Sequence, residues 1–156
     1  MRRYFSIGLF AIVLTAGFFL FGYKTSLPPV EPAVTAEFGG VSLRIDYATT
    51  PAEREKGLGD RTSVPADYGM LFVFLKDDKY GFWMKDMLVP IDIFWLNAQG
   101  QVVSIAEDVT ISTYPSVFYP NMPARYVLET AAGFAQAYSV ATGTPLLLKF
   151  FPTVTE

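Results

Sequence analysis

Five charged side chains stand where an apolar core would not place them. Lys85 follows Phe82-Trp83-Met84, Asp92 sits inside PIDIFWL (Pro90–Leu96), and Glu129 closes YVLE; Arg54 and Arg61 bracket REKGLGDR. A carboxylate among apolar side chains loses its hydration unless a cation or hydrogen-bond donors meet it, and Lys85, Arg54 and Arg61 are the natural partners. As a sealed ionic network, these groups would only fix register and helix placement. As the wall of a cleft, with Trp83 and Tyr119 beside them, they would suit a polar small ligand, saccharide-like or an acidic metabolite. Aromatic faces stack on sugar rings while charged groups take hydroxyls or a carboxylate. As an acid/base pair, Asp92 and Glu129 could hydrolyse a glycosidic bond, provided their carboxyl groups lie within about 10 Å. Among the functional readings, ligand binding stands ahead of partner docking, and catalysis behind both.

Composition narrows the chemistry. The 156 residues include no cysteine and no histidine. Thiolate nucleophiles, disulfides, a Ser-His-Asp relay and the usual zinc sites are excluded. Two carboxylates are few for an oxygen-only cation site, so neither a metal nor a cofactor is expected. No glycine-rich loop precedes a helix to cradle phosphate, since Gly57 and Gly59 follow one. Setting aside Arg2 and Arg3, ten basic residues face fifteen acidic ones, with no basic stripe, which argues against a nucleic-acid partner.

The chain divides into four stretches. After Arg2 and Arg3, an uncharged run from Tyr4 to Tyr23 is long enough to cross a bilayer as a helix. The basic residues before it favour an N-inside orientation. It ends in FFLFGYK, bulky where a signal protease needs small residues, so residues 1–24 read as an uncleaved signal anchor. Residues 25–37, rich in proline, read as a stalk, 38–152 as one domain on the extracytoplasmic side, periplasmic or cell-surface, and 153–156 as a tail.

Within the domain, Val41 to Tyr47 alternates as a half-buried strand. Thr50, Pro51 and Glu53 form the capping signature of a short helix carrying Arg54. Met70–Leu75, Tyr80–Lys85, Ile91–Leu96, Gln101–Glu107, Arg125–Glu129 and Pro145–Phe151 read as strands. The charged turn Lys76–Lys79 predicts a hairpin between the first two, and Asn97–Gly100 another. A small-residue helix is expected over Ala131–Ala141. About seven short strands and two short helices give a mainly β domain, a compact sandwich or partly open barrel. Val109–Pro123 fits no regular pattern; it is either a flap over a sheet edge or an aromatic docking loop for an envelope protein through Tyr114, Phe118 and Tyr119.

Taken in order, RxxGLxxR (Arg54–Arg61), GMLFVF (Gly69–Phe74), FWMK (Phe82–Lys85), PIDIFWL (Pro90–Leu96) and YVLE (Tyr126–Glu129) with Gly133 resemble the domain of unknown function 192 family. The resemblance spans roughly Phe38 to Phe151. It implies a small mainly β domain, commonly behind a signal peptide or anchor, with no established reaction. The sequence departs from the family pattern at Asp86 and Met87, where Asn-Thr is usual, and at Gly59, where Met often follows Gly-Leu.

An uncleaved anchor gives one expected outcome. On an immunoblot the mature protein should run at the size of the full chain, and deleting residues 1–24 should release it from membranes. A mature chain already lacking that segment would show a cleaved signal peptide instead.

Overall fold

The computed structural model describes residues 34–154. The anchor read over 1–24, and the stalk up to residue 33, lie outside the described residues. Among the described residues no helix is long and apolar enough to cross a membrane.

Nine strands and two short α-helices follow in the order β1 (Val34–Phe38), β2 (Val41–Ala48), α1 (Pro51–Lys56), β3 (Tyr68–Asp78), β4 (Phe82–Trp83), β5 (Ile91–Leu96), β6 (Val102–Val109), β7 (Val117–Phe118), β8 (Ala124–Ala131), α2 (Phe134–Ala137) and β9 (Leu147–Leu148). Seven strands form one sheet in the order β6-β5-β8-β3-β2-β1-β9, and β4 pairs with β7 separately. All pairs are antiparallel except β2 with β3, whose crossover carries α1. The sheet curls into a half-barrel rather than a sandwich. Its two margins touch at one end, where Leu146 N donates to Gly100 O (2.9 Å) and Val102 N to Thr144 O (3.0 Å).

The central strands are covered on both faces, which is why their sequences run apolar without alternation. All six residues of β5 are buried. Phe94 and Leu96 join Leu71, Val73, Leu128 and the stacked Phe38 and Phe134 on one face. Ile91, Ile93 and Trp95 join Met70, Phe72 and Val127 on the other, beneath Leu58, Phe82, Met84 and Met87. β2 is covered on one face only, with Ser42, Arg44 and Asp46 exposed on the other, and keeps its alternation.

Four expectations change. β1 begins at Val34, inside the stretch read as stalk, and pairs with β2 along its length. The β3–β4 hairpin does not form, because β3 pairs with β2 and β8, and β4 with β7. The second helix shrinks to Phe134–Ala137, and the last strand to Leu147–Leu148. The β5–β6 turn does form, with Asn97 Oδ1 accepting from Gln99 N (3.0 Å) and Gln101 N (2.9 Å).

Asp92 is met by backbone, not by cations. The β5–β6 register shifts between Ile91 and Ile93, and Asp108 lies there at φ 49°. Asp92 Oδ1 accepts from Asp108 N (2.8 Å) and Gly133 N (3.2 Å), while Oδ2 accepts from Ala135 N (2.8 Å). One fully buried carboxylate thus answers the bulge of β6 and the first turn of α2. Asp92→Ala leaves three amides unanswered. It should lower unfolding free energy by about 3–5 kcal/mol, read by urea denaturation.

Candidate functional site

Over the face of β3 and β8 bearing Phe72 and Glu129, two short segments make an incomplete roof. The first is α1 and the turn after it. Thr50 Oγ1 accepts from Glu53 N (3.2 Å), and Glu53 Oε2 accepts from Thr49 N (2.8 Å) and Thr50 N (2.9 Å), closing a capping box. Those donors hold the Glu53 carboxyl down at about 2. Gly57 ends the helix at φ 48°, ψ −134°, a conformation that favours glycine. A side-chain carbon there would stand 3.2 Å from the Phe72 ring and 3.7 Å from Glu129 Oε2. The bare backbone therefore leaves room above the carboxyl group. The second segment is β4 with its flanks, which turns Phe82 and Met84 inward and Trp83 outward.

Between them lies a cleft of about 310 Å³. Arg54, Glu55, Lys56, Tyr80, Trp83 and Lys85 line its upper part, with Phe72, Phe74, Phe82, Met87 and Glu129 also on its walls. Arg54 Nη1 donates to the carbonyls of Thr49 and Val73 (3.1 Å to Val73), and its guanidinium lies 5.2 Å from the Phe74 centroid. Phe74 is stacked on Tyr80 at 3.5 Å. Lys85 bonds Glu55 at 2.7 Å, which raises its pKa, and its ammonium lies 5.7 Å from the Trp83 centroid.

Glu129 is the unusual group. It is 4% exposed, and its Oε2 has no hydrogen-bond partner among the described residues. Loss of hydration pushes its pKa up to about 8, against a smaller opposing pull from Arg61. At neutral pH it is mainly an uncharged acid, able to donate or accept one hydrogen bond.

Of the residues singled out from sequence, Arg54, Trp83, Lys85 and Glu129 meet at this cleft. Arg61 stands aside, paired with Asp46 at 3.6 Å and 4.8 Å from the Tyr68 centroid. Tyr119 is 62% exposed and lies against Gly81 at the outer side of β4. Asp92 is on the other face of the sheet. Ile93 is directly opposite Glu129, so Asp92, one residue earlier, points away from it. The expected carboxylate pair is therefore not formed, and with it goes the two-carboxyl hydrolase. Nor do the charged groups make one sealed network, because Asp92 meets amides and Glu129 meets nothing. The sequence reading missed Glu55, Gly57, Phe72 and Tyr80 as cleft residues. The spacing of Glu55 and Gly57 from Arg54 in the first motif was the available signal.

Residues 34–148 match the family described as "Uncharacterized ACR", DUF192. No curated protein matches the chain. A protein of Sinorhizobium meliloti 1021, provisionally described as a transcription regulator, is similar in structure with TM-score 0.67 and 28% identity over 72% of this chain and 89% of that one. A protein of unknown function from Novosphingobium aromaticivorans DSM 12444 is similar at TM-score 0.67 and 27% identity, over 79% of this chain and 94% of that one.

Burial of Glu129 fixes the sign of a pH effect. Its pKa rises from 4.5 to about 8 on folding, so its contribution is fully present below pH 4.5 and is lost as pH rises to about 8. The whole span is on the order of 4–5 kcal/mol. Urea titrations between pH 5 and 9 should show wild-type stability falling with pH, and Glu129→Gln should flatten that slope. Equal slopes in the two proteins would mean that Glu129 is hydrated in the native state.

Proposed function

The chain belongs to the DUF192 family, and we propose that this member is a binding protein whose cleft takes a polar small ligand, saccharide-like or an acidic metabolite. One observation carries the reading: Glu129 is on the wall of a cleft that solvent can reach, and its buried Oε2 has no hydrogen-bond partner among the described residues. A buried polar group left unanswered costs about 1–3 kcal/mol, and a ligand hydroxyl in the cleft would offset that cost. Trp83 offers an exposed indole at the rim, and Arg54 and Lys85 offer charge. In this proposal residues 4–23 hold the protein in a membrane, and the domain faces the extracytoplasmic side, where such ligands are encountered. Nucleic acid is not a proposed partner, because the sequence concentrates no positive charge.

A second reading rests on the 109–123 loop. Tyr114 is 49% and Tyr119 62% exposed, while Phe118 is half-buried and turned to the core. The two outward rings suit a docking surface for an envelope protein. Binding in the cleft is the stronger reading, because the tyrosine rings stand in open solvent, whereas the Glu129 Oε2 is buried with no hydrogen bond from the described residues.

A thermal-shift screen against saccharides and small organic acids tests the cleft. A true ligand at a hundred-fold excess over its Kd should raise Tm by on the order of 10 °C. The shift should vanish in Glu129→Leu, which keeps the volume and removes the polar group. If no compound stabilises the folded wild type, or if the variant keeps the full shift, the cleft is not the binding site.

A further inference from the structure

We infer that the ligand carries a carboxylate, which docks on Arg54 while a ligand hydroxyl meets Glu129. The inference rests on the cleft being a binding site and adds the chemical class of what it binds: a sugar acid or similar hydroxy acid.

Two cations of the cleft are already matched. Lys85 is paired with Glu55 at 2.7 Å, and Lys56 with Asp60. Arg54 differs from both. Among the described residues no acid lies within ion-pair reach of it. Its position is nevertheless fixed, because Nη1 is spent on two backbone carbonyls and the plane is held near the Phe74 ring. Nε and Nη2 make no hydrogen bond among the described residues. What remains is a half-buried guanidinium, oriented by its neighbours, with unused donors on a cleft wall.

That arrangement favours a planar anion. A guanidinium edge and a carboxylate match as two parallel hydrogen bonds, and a pre-oriented arginine loses little freedom in forming them. The field of the cleft has the same sign. Lys85 is answered by Glu55 and Lys56 by Asp60, which leaves the single charge of Arg54 as the surplus beside Glu129, mainly an uncharged acid. A neutral sugar could offer Arg54 hydroxyl oxygens but would leave its charge unmatched. A cationic ligand would be repelled by the surplus positive charge. A hydroxy acid answers both unmatched groups, with the hydroxyl at the buried carboxyl and the carboxylate at the arginine. About 310 Å³ is room for one such molecule and not for a long chain.

Calorimetric titration of the full chain in detergent tests this. The probes are a panel of hexuronates and aldonates, the methyl ester of each acid, and the parent neutral sugars. Acids should bind on the order of 10–100-fold more tightly than their esters. Arg54→Gln should abolish that preference, weakening acids on the order of 10-fold more than their esters. Arg54→Lys should restore part of it, and circular dichroism should show both variants folded. If the glutamine variant unfolds, the comparison of acid with ester in wild type and Arg54→Lys carries the test alone. Esters and neutral sugars binding as tightly as acids, with binding lost in Glu129→Leu, would overturn the carboxylate and leave the cleft standing. No binding by any member of the panel would overturn both.

Discussion

A sheet covered on both faces tolerates few unanswered polar groups, and this constraint shapes the molecule. β5 and β8 run side by side within the sheet, and each carries one carboxyl group into the interior. The two lie a single register step apart and face opposite ways. Asp92 is met by three backbone amides, and its burial ties the β6 bulge to the start of α2. Glu129 is met by none, and its remaining option is to hold its proton. One carboxyl is a structural tie, and the other takes no hydrogen bond from the described residues.

The cleft exists because the roof over Glu129 is made of small pieces. α1 has six residues and β4 has two, so between them they cannot shield the wide face of β3 and β8. Leu58, Phe82, Met84 and Met87 close most of it with apolar contact. Gly57 leaves the last gap, since a side-chain carbon there would stand over the carboxyl oxygen. The capping box matters for the same reason. It fixes a helix too short to persist by itself, and that helix carries Arg54 to the rim.

Much of this was legible in the sequence where local physics decides. The alternation of Val41–Tyr47, the Thr50–Glu53 cap and the Asn97–Gly100 turn each specify their own geometry within a few residues. The misread parts depend on partners far along the chain. Lys76–Lys79 looks like a hairpin turn, yet Tyr68–Phe74 pairs with strands on both sides, which no local pattern reports. Val34–Phe38 follows a proline-rich stretch and was absorbed into it. The site divided along the same line. Alternation along Ile91–Leu96 sets Asp92 on a face with Phe94, and along Tyr126–Glu129 sets Glu129 with Val127, but only the β5–β8 register reveals that these are opposite faces. Arg54, Lys85 and Glu129 were legible as misplaced charges, whereas Phe72 and Tyr80 look like any other core aromatic.

The join between Gly100–Val102 and Gly143–Leu146 has a bearing on how crowded copies of this protein behave. An open seven-stranded sheet would present two unpaired rows of amides and carbonyls, each a template on which a neighbouring molecule could extend the ladder. Here the outermost strand at one margin is only Leu147–Leu148, and the start of the other is taken up by the join. What remains of β6 is kinked at Asp108 and carries Glu107 beside it, so an incoming strand would meet a broken row and repelling charge. The join thus shortens the strand edge open to fibre-like self-association, without a full barrel and without a single cross-link.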